Sequence, residues 1–167
     1  ISRAMHIDPR DLAGRLALSC YPELHLDSPG ALDQLCRLCD GAALLIVDSL
    51  RACAPTLDEN GSEMRAPLDM LGAVSDRTGC VCLVIHHARK PSESAQGGSK
   101  MAIRGSGAIF DACGSILVFV GEKSAPTLVS HEKARISGTP CDDFALVIAD
   151  EPEPGDPLAG LSVRVVG

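Results

Sequence analysis

Apolar residues along this chain fall into two patterns, short continuous runs and positions at helical spacing. Residues 42–48 and 80–85 form two nearly continuous apolar runs, which is typical of strands buried in a parallel sheet. Helically spaced segments stand before and between these runs, as crossover helices do. The pattern therefore predicts an α/β fold with a mostly parallel sheet flanked by helices.

Three segments are predicted to be helices. Residues 63–77 carry apolar side chains on one side of a helix, and Gly79 is expected to end that helix. Residues 29–39 follow the start signal Asp27-Ser28-Pro29, and residues 105–112 form a shorter helix. The core side of the middle helix consists of Met64, Leu68, Leu71 and Val74.

The last third of the chain alternates more strongly between apolar and polar residues. This alternation predicts strands joined by turns, which form an antiparallel edge of the sheet at residues 115–120, 127–131, 144–148 and 161–166. A further short strand is predicted at residues 23–27. No repeat or linker interrupts the chain, so residues 1–167 are interpreted as a single domain.

Composition narrows the class of protein. The 167 residues are 46% hydrophobic and 22% charged, which suits one globular core. The net charge of −7 argues against a protein coated in nucleic acid, and 2% aromatic residues with no Trp exclude a platform for stacking bases. Any DNA contact is therefore expected at the basic stretch of residues 89–104, whose positively charged residues are Arg89, Lys90, Lys100 and Arg104.

The cysteines and the length of the apolar runs indicate in which cellular compartment the protein is expected. No apolar run approaches the roughly 20 residues that cross a bilayer, and the chain starts at Ile1 without a signal-peptide core. We expect a piece of a longer cytoplasmic protein. The closest pairs among the eight cysteines are Cys36 with Cys39 and Cys80 with Cys82. Buried free thiols in a reducing compartment are the favoured interpretation, and a structural zinc site is the alternative.

Polar residues end both predicted parallel strands, where open α/β sheets bind ligands. Asp48 and Ser49 follow the first strand in the form of a Walker B element, whose carboxylate binds Mg²⁺ through water. The alternative is a strand that merely ends in an acid. His86 and His87 end the second strand and could sense a γ-phosphate, bind a metal or lie on the surface.

Several strings in the same order resemble one family. The strings 44–51, 58–60, 78–80, 84–90 and 104–108 are similar to the RepA-type hexameric replicative helicases, which are RecA-like ATPases. Residues 104–111 also resemble DnaB-type helicases. The likeness extends from about Leu32 to Gly138.

This resemblance implies an incomplete RecA-like P-loop NTPase core that binds ATP and Mg²⁺. It assigns Asp48 as the Walker B carboxylate, Ser49 and Arg104 to the nucleotide site, and His86 or His87 as the sensor. It also implies a homo-oligomeric ring around single-stranded DNA. Residues 91–103 would face the channel, with Arg89, Lys90 and Lys100 on DNA.

The resemblance further implies a role for Lys133 and Arg135. Together with Gly138 they match a Lys-x-Arg element that reaches the neighbouring subunit's nucleotide, as an arginine finger does. The alternative is a solvated hairpin edge. A finger shortly after residues 104–106 is not matched, because Ala112-Cys113-Gly114 occupies that place.

One element of the family is missing from these 167 residues. No Gly-x-x-x-x-Gly-Lys-Ser/Thr string and no Gly-Lys dipeptide occurs in the sequence. We therefore expect part of a helicase-type ATPase that couples hydrolysis to translocation on single-stranded DNA, inactive as this chain alone. The alternatives are a non-catalytic RecA-like module and, less favoured, a metal hydrolase using Asp48, His86 and His87.

Overall fold

The computed structural model describes residues 7–20, 23–58, 61–87, 107–121, 125–150 and 161–166. The chain divides into two compact units. One comprises Pro22–Ile116, and the other comprises Ile1–Tyr21 together with Leu117–Gly167. The interpretation of residues 1–167 as one domain stays a prediction.

A two-stranded parallel sheet forms the centre of the unit Pro22–Ile116. Strand β1 (Leu44–Asp48) pairs with β2 (Val81–Ile85), and Leu44 faces Val81 at one end while Asp48 faces Ile85 at the other. The connection between them contains α2 (Leu50–Cys53), a 3₁₀ turn at Ser62–Met64 and α3 (Arg65–Thr78). This confirms the predicted strand, helix and strand order.

The helices begin and end close to the predicted positions. Helix α1 (Ala31–Leu38) begins after Gly30 and packs on α3. Gly79 ends α3 with φ of 73°, and its amide donates to the Ser75 carbonyl at 2.8 Å. Helix α4 covers Gly107–Ala112, and residues 105–106 lie outside the described part of the chain.

The core forms where the helices cover one face of the sheet. All four apolar residues predicted to share a side of the middle helix are buried, and they pack with Leu35, Val47 and Leu50. The opposite face of β1 and β2 is bare in the described structure, with 40–60% exposure at Leu44, Ile46, Val81, Leu83 and Ile85. The predicted burial of these strands therefore holds for one face only in the described structure, because the described helices pack on that side.

The later strands form a second sheet. Strands β3 (Ser115–Val120), β4 (Thr127–Ala134), β5 (Phe144–Asp150) and β6 (Leu161–Val166) lie in that order. Strand β5 pairs antiparallel with both β4 and β6. The antiparallel strands are confirmed, but in the described residues they form a separate sheet rather than an edge of the parallel one.

The strand predicted at residues 23–27 is wrong. The segment is irregular, and the Leu26 amide donates to the Cys53 carbonyl at 2.6 Å instead of pairing in a sheet. Leu26 is buried in the core while its neighbours are more exposed. A loop that inserts one apolar side chain gives the same alternation as a strand.

No helix in the described ranges is both long enough and apolar enough to cross a membrane.

Candidate functional site

Two parallel strands end side by side at the predicted site. Asp48 is the last residue of β1 and lies opposite Ile85, the last residue of β2. His86 therefore follows β2 beside the point where Ser49 follows β1. The carboxyl ends of the strands place the acid and the histidine at one edge of the sheet, as the sequence predicted.

Asp48 and Ser49 differ sharply in exposure. The Asp48 side chain is exposed, whereas Ser49 is only 8% exposed and precedes the fully buried Leu50 at the start of α2. The peptide bond between Asp48 and Ser49 is cis. Because the Asp48 side chain is exposed, its carboxylate can reach a ligand in solvent, while the buried Ser49 after it is fixed in the core.

The two histidines also differ. His86 is half-buried and its Nδ1 atom is inaccessible to solvent, whereas His87 is exposed. A residue held partly in the core keeps one orientation more readily than a surface side chain. His86 is thus the better placed of the two for a fixed polar contact.

Cys53 lies within electrostatic reach of Asp48. Burial raises the pKa of the Cys53 thiol, and the negative charge of Asp48 raises it further. The thiol therefore stays neutral beside the carboxylate. The proximity of Cys53 to Asp48 was not predicted, since no spacing motif links the two residues.

The segment after α2 is held from two sides. The Arg51 guanidinium donates to the carbonyl oxygens of Ala54, Pro55 and Leu57 at 3.5, 3.1 and 2.8 Å. On the other side, the Thr56 amide and hydroxyl donate to Asp27 Oδ2 at 2.9 and 2.7 Å.

These contacts fix the approach to the acidic stretch that begins at Asp58. The Thr56 hydroxyl is the main reason that the pKa of Asp27 is lowered. Neither the Arg51 contacts nor the Asp27 contacts were predicted from the sequence. Asp27 and Thr56 lie 29 positions apart, so no local pattern signals their contact.

A family model described as an AAA domain matches residues 6–93, which is more than half of the chain. The chain belongs to this AAA domain family. The matched region contains β1, β2, Asp48 and both histidines, so the edge described above lies within the AAA domain. Such a domain indicates an ATPase-type function with nucleotide binding and generally uses ATP and Mg²⁺. No curated protein matches the chain.

In the described part of the chain, the candidate site does not resemble a metal centre built from protein side chains. Among the residues that the structure describes, no group of three or more His, Cys, Asp or Glu side chains is placed to hold a metal ion. All eight cysteines are free thiols. Asp48, His86 and His87 therefore provide no ligand set of the kind a metal hydrolase needs, and the cysteines provide none for structural zinc.

The other predicted residues lie elsewhere. Arg89, Lys90, Lys100 and Arg104 fall outside the described residues. Lys133 is half-buried near the end of β4 and Arg135 is exposed just after it, in the unit that does not contain Asp48. These assignments stay predictions.

The turn that follows Arg135 is well defined. The Gly138 amide donates to the Ala134 carbonyl at 2.9 Å with φ of 73° at Gly138. The Cys141 amide donates to Nδ1 of His131 at 3.0 Å, which ties the far side of the turn back to β4. Arg135 is thus displayed at the start of a structured hairpin turn.

Proposed function

We propose that this AAA domain is part of a RecA-like ATPase of the RepA or DnaB type, which couples ATP hydrolysis to movement along single-stranded DNA. The observation that carries the proposal is the pairing of Asp48 with Ile85, which brings an exposed carboxylate and a half-buried histidine to the carboxyl edge of adjacent parallel strands. RecA-like ATPases place their Walker B acid and sensor at such an edge.

Asp48 fits the metal-binding part of an ATP site. Mg²⁺ prefers oxygen ligands, keeps several of its waters and is held by one or two carboxylates. Asp48 is an exposed carboxylate and would orient such a water-bound ion. The ion supplies charge neutralisation on the phosphates. Ser49 and Arg104 complete the proposed nucleotide contacts.

The histidine at the end of β2 is proposed as the sensor. A side chain there can donate a hydrogen bond to a phosphate oxygen or orient the attacking water. His86 is favoured over His87 because it is half-buried. Hydrolysis would remove the phosphate oxygen that the histidine contacts. Loss of this hydrogen bond would then affect the segment that directly follows β2.

The proposal extends to assembly and DNA. We place the chain in a cytoplasmic homo-oligomeric ring, with Arg89, Lys90 and Lys100 binding DNA phosphates in its channel. Lys133 and Arg135 would enter the neighbouring subunit's nucleotide site and stabilise charge on the transferring phosphoryl group.

ATP turnover by the full-length protein, with and without single-stranded DNA, tests the proposal. We expect Mg²⁺-dependent turnover that DNA increases, and none from this 167-residue chain, whose sequence holds no P-loop. Turnover without any response to DNA would contradict the helicase role. Absence of turnover in a folded full-length protein would favour the alternative, a non-catalytic RecA-like module.

A further inference from the structure

Four cysteines lie near the edge of the parallel sheet opposite Asp48. Cys39 caps α1 just before β1, and Cys80 stands between Gly79 and β2. Cys36 precedes Cys39 by one helical turn, and Cys82 lies within β2. Because β1 and β2 are parallel, the two helix-to-strand connections meet at the amino edge of the sheet.

Backbone hydrogen bonds draw these connections together. The Ala42 amide donates to the Cys39 carbonyl at 3.0 Å, and the Val81 amide donates to the Ala43 carbonyl at 3.0 Å. Cys39 and Cys80 are 2% and 0% exposed and belong to the same core cluster. Cys80 is close enough to affect the ionisation of the Cys39 thiol, both through its charge and through a side-chain hydrogen bond.

Burial controls how this pair can react. Burial raises the pKa of Cys39 to about 11, and the neighbouring Cys80 thiol contributes to that rise. Since the thiolate is the nucleophile, direct attack by Cys39 on an external oxidant is slow. Cys80 is 0% exposed, so an external oxidant does not reach it. Cys36 is half-buried, so solvent reaches it, and its position three residues before Cys39 places both on one side of the helix.

We propose that Cys39 and Cys80 form an oxidation-sensitive disulfide staple, and that a low-molecular-weight disulfide enters the site at Cys36. The Cys36 thiolate attacks the small disulfide and releases one small thiol. Cys39 then attacks the Cys36 sulfur, which releases the second small thiol.

Cys80 completes the exchange. It attacks the Cys39 sulfur, which forms the Cys39–Cys80 bond and returns Cys36 as a thiol. In balance, two protein thiols become one disulfide and the small disulfide becomes two thiols, each taking one proton. The high effective concentration of sulfur within the protein compensates for the small thiolate fraction of Cys39.

The staple would act on stability rather than on the candidate nucleotide site. It joins the end of α1 to the start of β2 at the amino edge, whereas Asp48 and His86 lie at the carboxyl edge. A crosslink over a long loop restricts the unfolded chain most. We expect the oxidised chain to melt on the order of 5 °C higher than the reduced chain, and reduction to reverse the change.

Incubation with glutathione disulfide followed by non-reducing tryptic mapping tests the staple. Arg37 separates Cys36 from Cys39, so trypsin places them in different peptides. We expect a crosslinked peptide pair joining Cys39 to the segment that holds Cys80, two hydrogens lighter than the free peptides. Cys80→Ala should abolish this product, and the matched control Cys82→Ala should retain it.

The entry route has its own test. Cys36→Ser should slow formation of the crosslink about tenfold or more, whereas Cys141→Ser, at an exposed position in the other unit, should leave the rate unchanged. An unchanged rate in Cys36→Ser would overturn the route. If the wild-type chain carries only glutathione on Cys36, or only a Cys36–Cys39 disulfide, the staple is overturned. This result is obtained with the wild-type chain, so it does not depend on whether a variant folds.

Discussion

At the scale of single residues, burial decides the chemistry of the thiols in this chain. Cys39, Cys53 and Cys82 all have raised pKa values, with burial the largest cause in each case. Cys20 and Cys141 are exposed instead. The buried thiols therefore behave as neutral core residues, as their apolar neighbours in the sequence suggested.

Stability should fall as the pH rises through the titration of Cys39. Below the ordinary value of 9.0, the thiol is protonated in both the folded and unfolded states. Between 9.0 and about 11 the unfolded state loses the proton first, so the unfolded state is favoured. Cys39 alone should lower the free energy of unfolding by up to about 1.4 kcal/mol per pH unit in this range.

Urea unfolding under reducing conditions at several pH values from 8 to 11 measures this slope. Cys39→Ala should flatten the slope, while Cys20→Ser, at an exposed position, should leave it as in the wild type. Equal slopes in Cys39→Ala and wild type would show that Cys39 does not titrate this way.

At the scale of elements, the end of α3 at Gly79 depends on backbone conformation more than on side-chain contacts. Gly79 has φ of 73°, and Gly72 lies within the helix. A Cβ added at either position would meet open space. Space does not distinguish the two glycines. Only the left-handed conformation at Gly79 does.

Alanine at these two glycines should therefore change stability in opposite directions. Gly79→Ala should destabilise the fold by about 1–2 kcal/mol, because a Cβ is strained in the left-handed region. Gly72→Ala should stabilise it by about 0.5–1 kcal/mol, because alanine loses less backbone entropy. Chemical denaturation compares both variants with wild type, and a shift of the same sign in both would refute this explanation.

Local patterns predicted the elements of this chain better than their assembly. The spacing of Leu68, Leu71 and Val74 encodes the buried side of α3, and Gly79 encodes its end. The separate second sheet depends on pairings such as Ile148 with Val163, which local alternation does not specify. The irregular segment at residues 23–27 shows the same limit, since its alternation fits both a strand and a loop.

The candidate site was predictable to a similar extent. Two apolar strands that each end in polar residues predict that Asp48 and His86 share an edge, and the register confirms this. The hydrogen bonds of Arg51 and Asp27 were not predictable. Arg51 donates to backbone carbonyls, which every residue has, so no residue type signals the contact. Asp27 accepts from Thr56, which is distant in the sequence.

At the scale of the whole molecule, the proposed catalytic groups divide between two units. Asp48 and His86 lie in Pro22–Ile116, and Arg135 lies in the unit that contains Leu117–Gly167. In the proposed ring each nucleotide lies between subunits. A finger arginine would then complete the site of a neighbour rather than its own.

Arg135→Ala in the full-length protein should lower kcat by on the order of 10³-fold with nearly unchanged nucleotide affinity. The control Arg10→Ala removes another exposed arginine of the same unit and should have little effect. Mixing Arg135→Ala with Asp48→Ala should restore part of the turnover, because some interfaces regain both intact groups. Confirmed mixed rings without any recovery would leave Arg135 as a hairpin residue.

Turnover by Asp48→Asn in the full-length protein tests the central claim most directly. The variant keeps the shape of the side chain but removes its charge, and the control Asp40→Asn removes the charge of another exposed acid. We predict that Asp48→Asn lowers Mg²⁺-dependent kcat by on the order of 10²-fold or more, while Asp40→Asn retains wild-type turnover. A folded Asp48→Asn variant with wild-type kcat would contradict the claim that this edge of the sheet is the ATP site.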